Sequence, residues 1–230
     1  MKEPEIPRSA LIAGATGLVG KQILQQLIAN PIYQHVKALA RRPQTIEHTK
    51  LEWVILPDFE QLDSLPDEVF QVTDLYLSMG TTHKQAGSNE KFRRIDHDYP
   101  LLIAKRAIGQ GATHCSLVSS TGTQRDSPFH YVQVKWDLEQ ALKKLAFSRL
   151  VIARPGLLLG DRPEMRLGEK IGEGVLVLLK PLLWLKSLRR YRPIHDYEVA
   201  QALIHLTLQP GPIVQIVENE TLLEISHSQS

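Results

Sequence analysis

Short apolar runs alternate with amphipathic helical patterns through the first two thirds of the chain. The first run, ALIA at residues 10–13, has no polar alternation, which is typical of a strand buried on both faces of a parallel sheet. Further strands are predicted over 35–40, 52–56, 74–79, 114–118, 149–153 and 213–217. Helices are predicted after the first strand and over 93–109, 131–145 and 197–208. This order predicts an α/β fold with a doubly wound, mostly parallel sheet and helices on both faces.

A glycine-rich turn joins the first strand to the first helix. Gly14 and Gly17 supply the positive φ of a tight turn and a backbone that a pyrophosphate can approach, while Gly20 lets the helix lie close to the strand. The helix N-terminus offers N–H groups and a positive dipole end to phosphates. The turn therefore predicts a dinucleotide site in a Rossmann-type fold, with a purely structural strand-turn-helix as the alternative. The predicted contacts are Gly14, Thr16, Gly17, Leu18, Val19 and Gly20.

The end of the second predicted strand bears on the choice of cofactor. NAD sites of this kind place a carboxylate about 20 residues beyond the glycines, whereas an arginine there accommodates a 2′-phosphate. Arg41 and Arg42 stand at that distance, and residues 35–45 contain no acid. The sequence therefore predicts NADP(H) as the cofactor. Two solvated loop arginines are the alternative.

Residues just beyond the third and fourth strands are further candidates, because ligands in such sheets lie outside the carboxyl ends of strands. Asp58 and Phe59 are predicted to flank the adenine, with a surface turn as the alternative. After the fourth strand come Met79, Gly80 and Thr81, where the chain is predicted to pass close to the cofactor.

The polar stretch 84–91 is interpreted as a loop before the helix over 93–109. Asp96, His97 and Asp98 cluster at the expected start of that helix, with Pro100 in its first turn. Such a cluster is compatible with metal ligands, but acids are favoured at helix N-termini in any case. We therefore interpret the cluster as a helix cap and predict no metal site.

Candidate catalytic residues follow the fifth strand. The strand ends at Ser119 and Ser120, and a four-residue spacing places Tyr131 and Lys135 on one face of the next helix. An ammonium beside a phenol favours the phenolate and makes the tyrosine usable as a general acid or base. A nearby serine hydroxyl would hold the substrate oxygen where charge develops. Side chains without a catalytic role are the alternative.

Several motifs together resemble the short-chain dehydrogenase/reductase superfamily, and in particular its small atypical members related to the Tat-interacting oxidoreductase-like protein. These are GATGLVG, VSS, YVQVK and RPG, with GTT at 80–82 and DHDY at 96–99. The resemblance implies that Tyr131 exchanges the proton, Lys135 also binds the nicotinamide ribose and Ser120 polarises the carbonyl, with Ser119 or Thr121 as substitutes. It also implies that Pro155 and Gly156 lie near the nicotinamide.

These observations predict an NADP(H)-dependent oxidoreductase that transfers a hydride between nicotinamide and a carbonyl or alcohol of a small-molecule substrate. Two other functions remain open. One is an NADPH-binding regulatory or scaffold protein without turnover, and the other is an epimerase or dehydratase that retains its cofactor.

Composition bears on the expected binding partners and on the cellular compartment. The net charge of +2 gives no support to nucleic-acid binding. Cys115, the only cysteine, excludes an internal disulfide and is interpreted as an inert buried thiol. No apolar leader is visible at the N-terminus, and no apolar run reaches the length of a bilayer span. We therefore expect a cytoplasmic protein.

The C-terminal third carries the predicted substrate-covering part of a single domain, 1–230. The strand-helix alternation breaks down after residue 156, and residues 157–196 are interpreted as an insertion over the substrate pocket. Within it, 175–192 is apolar and then basic, which fits a membrane surface or a partner protein. Packing over the active site or at a dimer contact is favoured, so either a monomer or a dimer is expected. Residues 226–230 are predicted to be frayed.

Overall fold

The computed structural model describes residues 7–160 and 191–228. Seven parallel strands form one sheet: β1 (Arg8–Ala13), β2 (Tyr33–Ala40), β3 (Leu51–Ile55), β4 (Asp74–Leu77), β5 (His114–Val118), β6 (Arg149–Arg154) and β9 (Val214–Glu218). Their order across the sheet is β3-β2-β1-β4-β5-β6-β9. The predicted strands are all present, and their ends differ from the prediction by at most two residues.

Helices cover both faces of the sheet. They are α1 (Leu18–Ala29), α2 (His83–Ala86), α3 (Asn89–Arg93), α4 (Tyr99–Gly109), α5 (His130–Lys143), α6 (Asp196–Leu208) and α7 (Asn219–Ser228). Two 3₁₀ helices, Phe59–Ser64 and Asp67–Phe70, lie between β3 and β4. The fold is therefore the predicted Rossmann-type α/β fold.

The central strand β1 shows why its sequence lacks alternation. Ala10 and Ile12 belong to the core that α1, α6 and α7 cover, whereas Leu11 and Ala13 belong to the core under α4 and α5. All four side chains are fully buried. A strand with an apolar layer on each face has no polar position to alternate with.

The crossing direction of the chain changes beside β1. From β1 the chain passes through α1 to β2 and β3 on one side, then returns to β4 on the other side and continues to β5 and β6. The carboxyl ends of β1 and β4 therefore flank the crevice in which ligands bind to such sheets. Ser78, just after β4, donates its backbone N–H to Ala13 O at 2.9 Å, so the two strand ends are joined there.

The stretch from His83 to Gly109 differs from the prediction. Residues 84–91 are not a loop, since α2 and the start of α3 occupy most of them. Helical structure runs from Asn89 to Gly109, and its middle, Arg94–Asp98, is a π-helical turn in which Tyr99 N donates to Arg94 O. Pro100 explains the turn, because it has no N–H for the carbonyl four residues earlier and its ring would clash there.

The position of that turn corrects the interpretation of the Asp96, His97 and Asp98 cluster. The helical run begins after Ser88, whose hydroxyl accepts from Lys91 N. The acids are therefore inside the run, and none of their side chains caps a helix N-terminus. Asp96 and His97 are instead buried.

The C-terminal part contains structure that the sequence did not predict. The strands β7 (Leu157–Leu159) and β8 (Pro193–His195) pair in parallel as a separate two-stranded sheet. The predicted fraying from residue 226 is wrong as far as Ser228, because α7 extends to that residue and Leu222 and Ser226 are buried. Most of the predicted insertion, including its apolar and basic stretch up to residue 190, lies outside the described residues. Among the described helices, none is both long and apolar enough to cross a membrane.

Candidate active site

The glycine turn at the end of β1 brings helix and strand into backbone contact. Gly14 has φ +96°, and a Cβ there would lie 2.6 Å from the Ser78 carbonyl carbon. At Gly20 a Cβ would lie 2.0 Å from Gly14 O. Gly17 has φ −77° and ψ 172°, and its N–H closes the turn onto Gly14 O at 2.8 Å. Gly14 is therefore required for its conformation, and both Gly14 and Gly20 are required for close packing.

The start of α1 fits an anionic ligand. No side chain caps this N-terminus at Gly17, and the first turn contains no acid. Thr16 is exposed beside it and Leu18 is half-buried, whereas Val19 is buried in the core, so a ligand contact from Val19 is limited to its backbone. A turn without a Cβ and a helix N-terminus without a cap together fit the pyrophosphate of a dinucleotide.

The candidates on the adenine side occupy the ends of β2 and β3. Arg41 and Arg42 follow β2 directly, are exposed, and form no ion pair with the described residues. Asp58 caps the 3₁₀ helix Phe59–Ser64 by accepting from Glu60 N at 2.9 Å. The Phe59 ring is half-buried, with its centroid 5.8 Å from that of Tyr99. The surface-turn alternative thus accounts for the Asp58 carboxylate, and Phe59 remains partly accessible.

The loop after β4 is tied to α5 through Asp96, a residue whose role the sequence interpretation missed. Thr81 donates its backbone N–H to Asp96 Oδ2 at 2.8 Å. The other carboxylate oxygen, Oδ1, lies 2.9 Å from the Lys135 ammonium. The side chains of Lys135 and Asp96 are only 5% and 1% exposed. The Lys135 ammonium and Asp96 Oδ1 are not aligned as a hydrogen bond, so the contact between them is chiefly electrostatic.

A signal for Asp96 was present in the sequence. Asp96 shares the apolar phase of its helical pattern with Pro100, Ile103 and Ala107, all of which are buried. An acid in that phase predicts a buried carboxylate with a partner, because an unpaired buried charge is costly. The lysine that partners it is on another helix, which the local pattern does not reveal.

Tyr131 lies one turn before Lys135 on α5, as the spacing predicted. It is half-buried, and its ring meets the buried Phe92 ring edge-on at a centroid distance of 5.9 Å. Its hydroxyl forms no hydrogen bond with the described residues. His83 belongs to the same cluster and stacks on the Phe92 ring at a centroid distance of 4.4 Å. The phenol is therefore held by ring packing, which leaves its hydroxyl available to a ligand.

The three hydroxyls after β5 have different surroundings. Ser119 is buried and donates to Glu139 Oε1 at 2.6 Å. Ser120 is half-buried and makes a long contact of 3.3 Å with Thr121 O. The Thr121 hydroxyl oxygen is buried and has no hydrogen-bond partner among the described residues. Ser119 is thus committed to a structural bond, whereas Ser120 and Thr121 are available.

Glu139 belongs to a buried charge network behind the site. Arg154 donates to both carboxylate oxygens of Glu139, at 3.0 and 2.6 Å, and also to Glu218 at 3.0 Å. Burial lowers the pKa of Arg154, but its hydrogen bonds to the two acids outweigh burial and leave that pKa raised. The network fixes α5 to the ends of β6 and β9.

The predicted nicotinamide-side residues follow β6. Pro155 is buried and accepts from Thr121 N at 2.9 Å, while Gly156 donates its N–H to Asn219 Oδ1 at 2.7 Å. The β5 and β6 loops are therefore joined by a backbone bond. Cys115 is fully buried on β5, and burial raises the pKa of its thiol. Within residues 7–160 and 191–228, no cluster of three or more His, Cys, Asp or Glu side chains is arranged to hold a metal ion.

Residues 10–160, from the middle of β1 to the end of β7, match the NAD dependent epimerase/dehydratase family. The chain belongs to this family. Its seven-stranded sheet and glycine turn form the NAD(P)-binding fold of that family, and the resemblance to the short-chain dehydrogenase/reductases is confirmed.

Relatives match nearly the whole chain. The mitochondrial protein FMP52 of Eremothecium gossypii is 35% identical over 94% of this chain and 96% of its own length. Protein HTATIP2 of Rattus norvegicus is 33% identical over 95% of this chain and 89% of its own. Among solved structures, MoeE5 in complex with UDP-glucose and NAD has a TM-score of 0.65 at 14% identity, covering 96% of this chain and 82% of its own. That structural likeness concerns the fold.

The relatives correct the expected localisation. FMP52 proteins from several organisms are named mitochondrial, which contradicts the cytoplasmic expectation. The expectation relied on a single cysteine and on the absence of an apolar leader. Neither feature separates the cytosol from another reducing compartment.

Proposed function

We propose that the protein is an NADP(H)-dependent oxidoreductase that acts on a carbonyl or alcohol carbon of a small-molecule substrate. The observation that carries this proposal is the position of Lys135, whose ammonium meets Asp96 directly beneath Thr81 in the loop after β4. Because β4 is the neighbour of β1 in the sheet, α5 and its Tyr131 are joined to the crevice that fits a dinucleotide.

Each residue has a distinct task in this proposal. When bound, NADP(H) supplies or accepts the hydride. Tyr131 gives a proton to the substrate oxygen during reduction and takes it back during oxidation, since its hydroxyl has no hydrogen-bond partner among the described residues. Lys135 presents a positive charge one helical turn away and holds the nicotinamide ribose. Its burial strengthens that electrostatic effect, because the surrounding dielectric is low.

A hydroxyl after β5 holds the substrate oxygen. Ser120 was the first expectation from the motif, and its weak 3.3 Å contact leaves it free to rotate toward a ligand. Thr121 is favoured by its surroundings, because a buried hydroxyl without a partner costs free energy that a ligand oxygen would recover. Ser119 is disfavoured, since its bond to Glu139 would have to break.

The preference for the 2′-phosphate rests on Arg41 and Arg42. They are exposed at the carboxyl end of β2, two strands from the β4 loop, where the adenosine ribose lies in sheets of this type. Neither guanidinium is neutralised by a described acid, so both are available to a phosphate.

The test is NADPH consumption by the purified full chain across a panel of aldehydes and ketones, with Tyr131→Phe alongside. We expect turnover on part of the panel and a loss of about 100- to 10,000-fold in the variant, the usual contribution of a positioned general acid. NADPH affinity should be nearly unchanged, because the phenylalanine ring preserves the packing on Phe92. Equal turnover by Tyr131→Phe would refute the mechanism.

Epimerase or dehydratase chemistry is a second candidate, favoured by the family to which residues 10–160 belong. Such an enzyme returns its hydride to the same substrate, so its cofactor stays bound between turnovers. Nicotinamide dinucleotide released when the freshly purified protein is denatured, together with no net NADPH consumption, would favour it. Neither release nor consumption, with NADPH still bound on titration, would favour a regulatory role without turnover.

A further inference from the structure

Asp96 and Lys135 form the most buried ion pair between helices of this site. Asp96 comes from the π-helical turn at Arg94–Asp98 and Lys135 from α5, so the pair joins two separate parts of the chain. A second pair between the same regions, Arg93 with Asp137, is about half exposed on both sides. The two pairs thus offer the same chemistry in a buried and an exposed setting.

The geometry points to Asp96 as the positioning residue of the proposed site, which holds Lys135 as an ammonium and fixes it relative to the cofactor loop. This inference rests on the proposed function and adds to it. One carboxylate oxygen faces the Lys135 Nζ at 2.9 Å and the other accepts from Thr81 N at 2.8 Å. A single planar group therefore sets the separation between the lysine and the loop after β4.

The negative charge of Asp96 favours the protonated form of Lys135, which a neutral side chain of the same shape would not do. A lysine buried to this extent loses its proton more readily unless a negative charge lies close by. Asp96 provides that charge, so the ammonium persists at pH values where an isolated buried amine would be neutral. The π-helical turn is what makes this possible, since it turns an acid inward in the middle of a helical run.

The other ionisable groups around the pair have contacts of their own. Glu139, one turn after Lys135, is held by Arg154. Arg93 is paired with Asp137, and His97 contacts Asp98 at 2.7 Å. Tyr131, one turn before Lys135, is the phenol that the lysine serves. Among these groups, Asp96 is the acid that pairs with Lys135.

The experiment compares Asp96→Asn with Asp137→Asn in the full chain. Both variants make the same chemical change on one of the two interhelical pairs, and asparagine can still accept from Thr81 N. NADPH affinity is measured by the fluorescence of the bound nucleotide between pH 6.5 and 9.5. We expect Asp96→Asn to bind with an affinity that falls at least tenfold further than that of wild type across this range. Asp137→Asn should follow wild type at every pH.

Each outcome has a definite meaning. If Asp96→Asn lowers affinity by the same factor at every pH, or not at all, the charge of Asp96 does not maintain the lysine and the inference is wrong. A wild-type protein that fails to bind NADPH contradicts the proposed function itself, and that result is visible in the same titration before any variant is compared.

Folding provides a second measurement that needs no cofactor. Removing one partner of a buried pair leaves an uncompensated charge, whereas removing both is often nearly neutral. If Asp96→Asn fails to fold, the double variant Asp96→Asn with Lys135→Met should fold and should have a higher urea midpoint than Lys135→Met alone, in which Asp96 is left as the unpaired buried charge. A double variant as unstable as Asp96→Asn would show that the carboxylate does not act through the lysine, and would overturn the inference.

Discussion

Gly20 on α1 faces the Gly14 carbonyl so closely that a methyl group on Gly20 would lie 2.0 Å from that oxygen. The atoms in the way belong to the backbone, so the clash is relieved only by moving the helix from the strand. We predict that Gly20→Ala lowers the free energy of unfolding by about 1–3 kcal/mol, the usual cost of overpacking. Urea denaturation measures this, and NADPH affinity should fall as well because the turn opens.

Gly109→Ala is the matched control for that substitution. Gly109 is the last residue of α4, and a Cβ there would meet no atom within 4 Å. Since alanine is a better helix former than glycine, the control should be neutral or slightly stabilising. Equal losses of stability in the two variants would show that the close approach of Gly20 to Gly14 is not the cause.

Arg41 and Arg42 give a prediction about cofactor choice. The wild-type protein should bind NADPH more tightly than NADH, because a hydrogen bond to a charged group contributes about 1.5–3 kcal/mol. The double variant Arg41→Ala with Arg42→Ala should lose that preference, which corresponds to a loss of about tenfold or more in NADPH affinity. Fluorescence titrations with both nucleotides measure it.

The affinity for NADH is the internal control for the arginine variant. It should stay close to the wild-type value, because the two side chains are exposed at the carboxyl end of β2. Equal binding of NADPH and NADH by the unmutated protein would contradict the predicted preference. A parallel loss for both nucleotides would mean that the arginines support the site as a whole.

We expect substitutions of the three hydroxyl residues after β5 to affect stability and turnover differently. Ser119→Ala removes a bond to a charged, buried Glu139, so it should destabilise the fold by about 1.5–3 kcal/mol and leave turnover per folded molecule almost unchanged. Thr121→Val removes a buried hydroxyl that has no described partner, so it should keep or raise stability while lowering turnover. Ser120→Ala serves as the comparison at the adjacent position.

One result of this series would contradict the choice of Thr121 over Ser120. If Ser120→Ala abolishes NADPH consumption and Thr121→Val does not, the substrate oxygen is held by Ser120, as the motif alone indicated. Denaturation midpoints measured on the same preparations distinguish a loss of folded protein from a loss of catalytic turnover.

His114 at the start of β5 predicts a pH dependence of stability. Burial lowers the pKa of His114, and the nearby Arg8 lowers it further, although Asp74 at 3.8 Å opposes this and Arg149 adds to it. The unfolded chain therefore takes up this proton first. The stabilisation is complete above the unfolded value of about 6.5 and is lost as the pH falls from there through the lower folded value. His114→Gln should flatten the fall of the urea midpoint between pH 7 and pH 5.

His35→Gln is the control for the fall of the urea midpoint between pH 7 and pH 5. His35 lies on β2 with its side chain about half exposed beside Glu52, away from the Arg8 and Asp74 side chains that surround His114, so its substitution removes a histidine without changing that cluster. The control should retain the wild-type slope. A wild-type slope in His114→Gln as well would assign the acid sensitivity to other groups.

The sequence contained enough information for the sheet and the glycine turn because both depend on neighbours in the chain. The run of Ala10 to Ala13 reports burial on two faces, and the spacing of Gly14 to Gly20 reports a turn and a close contact. Tyr131 and Lys135 were paired correctly on one helical face for the same reason.

The roles of Asp96 and Ser119 depend on partners far along the chain. Asp96 was interpreted as a cap because the helix was expected to begin near it, and Lys135 on a different helix decides otherwise. Ser119 was a substitute for Ser120 in the sequence prediction, and its hydrogen bond to Glu139 shows that its hydroxyl is occupied. The helix α7 was missed because only three of its ten residues, Leu222, Leu223 and Ile225, are apolar, and it is ordered by packing against α6.

One amide, Asn219 at the start of α7, fastens both ends of the segment that separates β6 from α6. Its Oδ1 accepts from Gly156 N and its Nδ2 donates to Arg192 O, while β7 and β8 pair beside it. The two ends are therefore held at a fixed spacing by one side chain. Asn219 thereby couples the small β7–β8 sheet to the end of β6, so the loss of this single amide would release both ends from the main sheet at once.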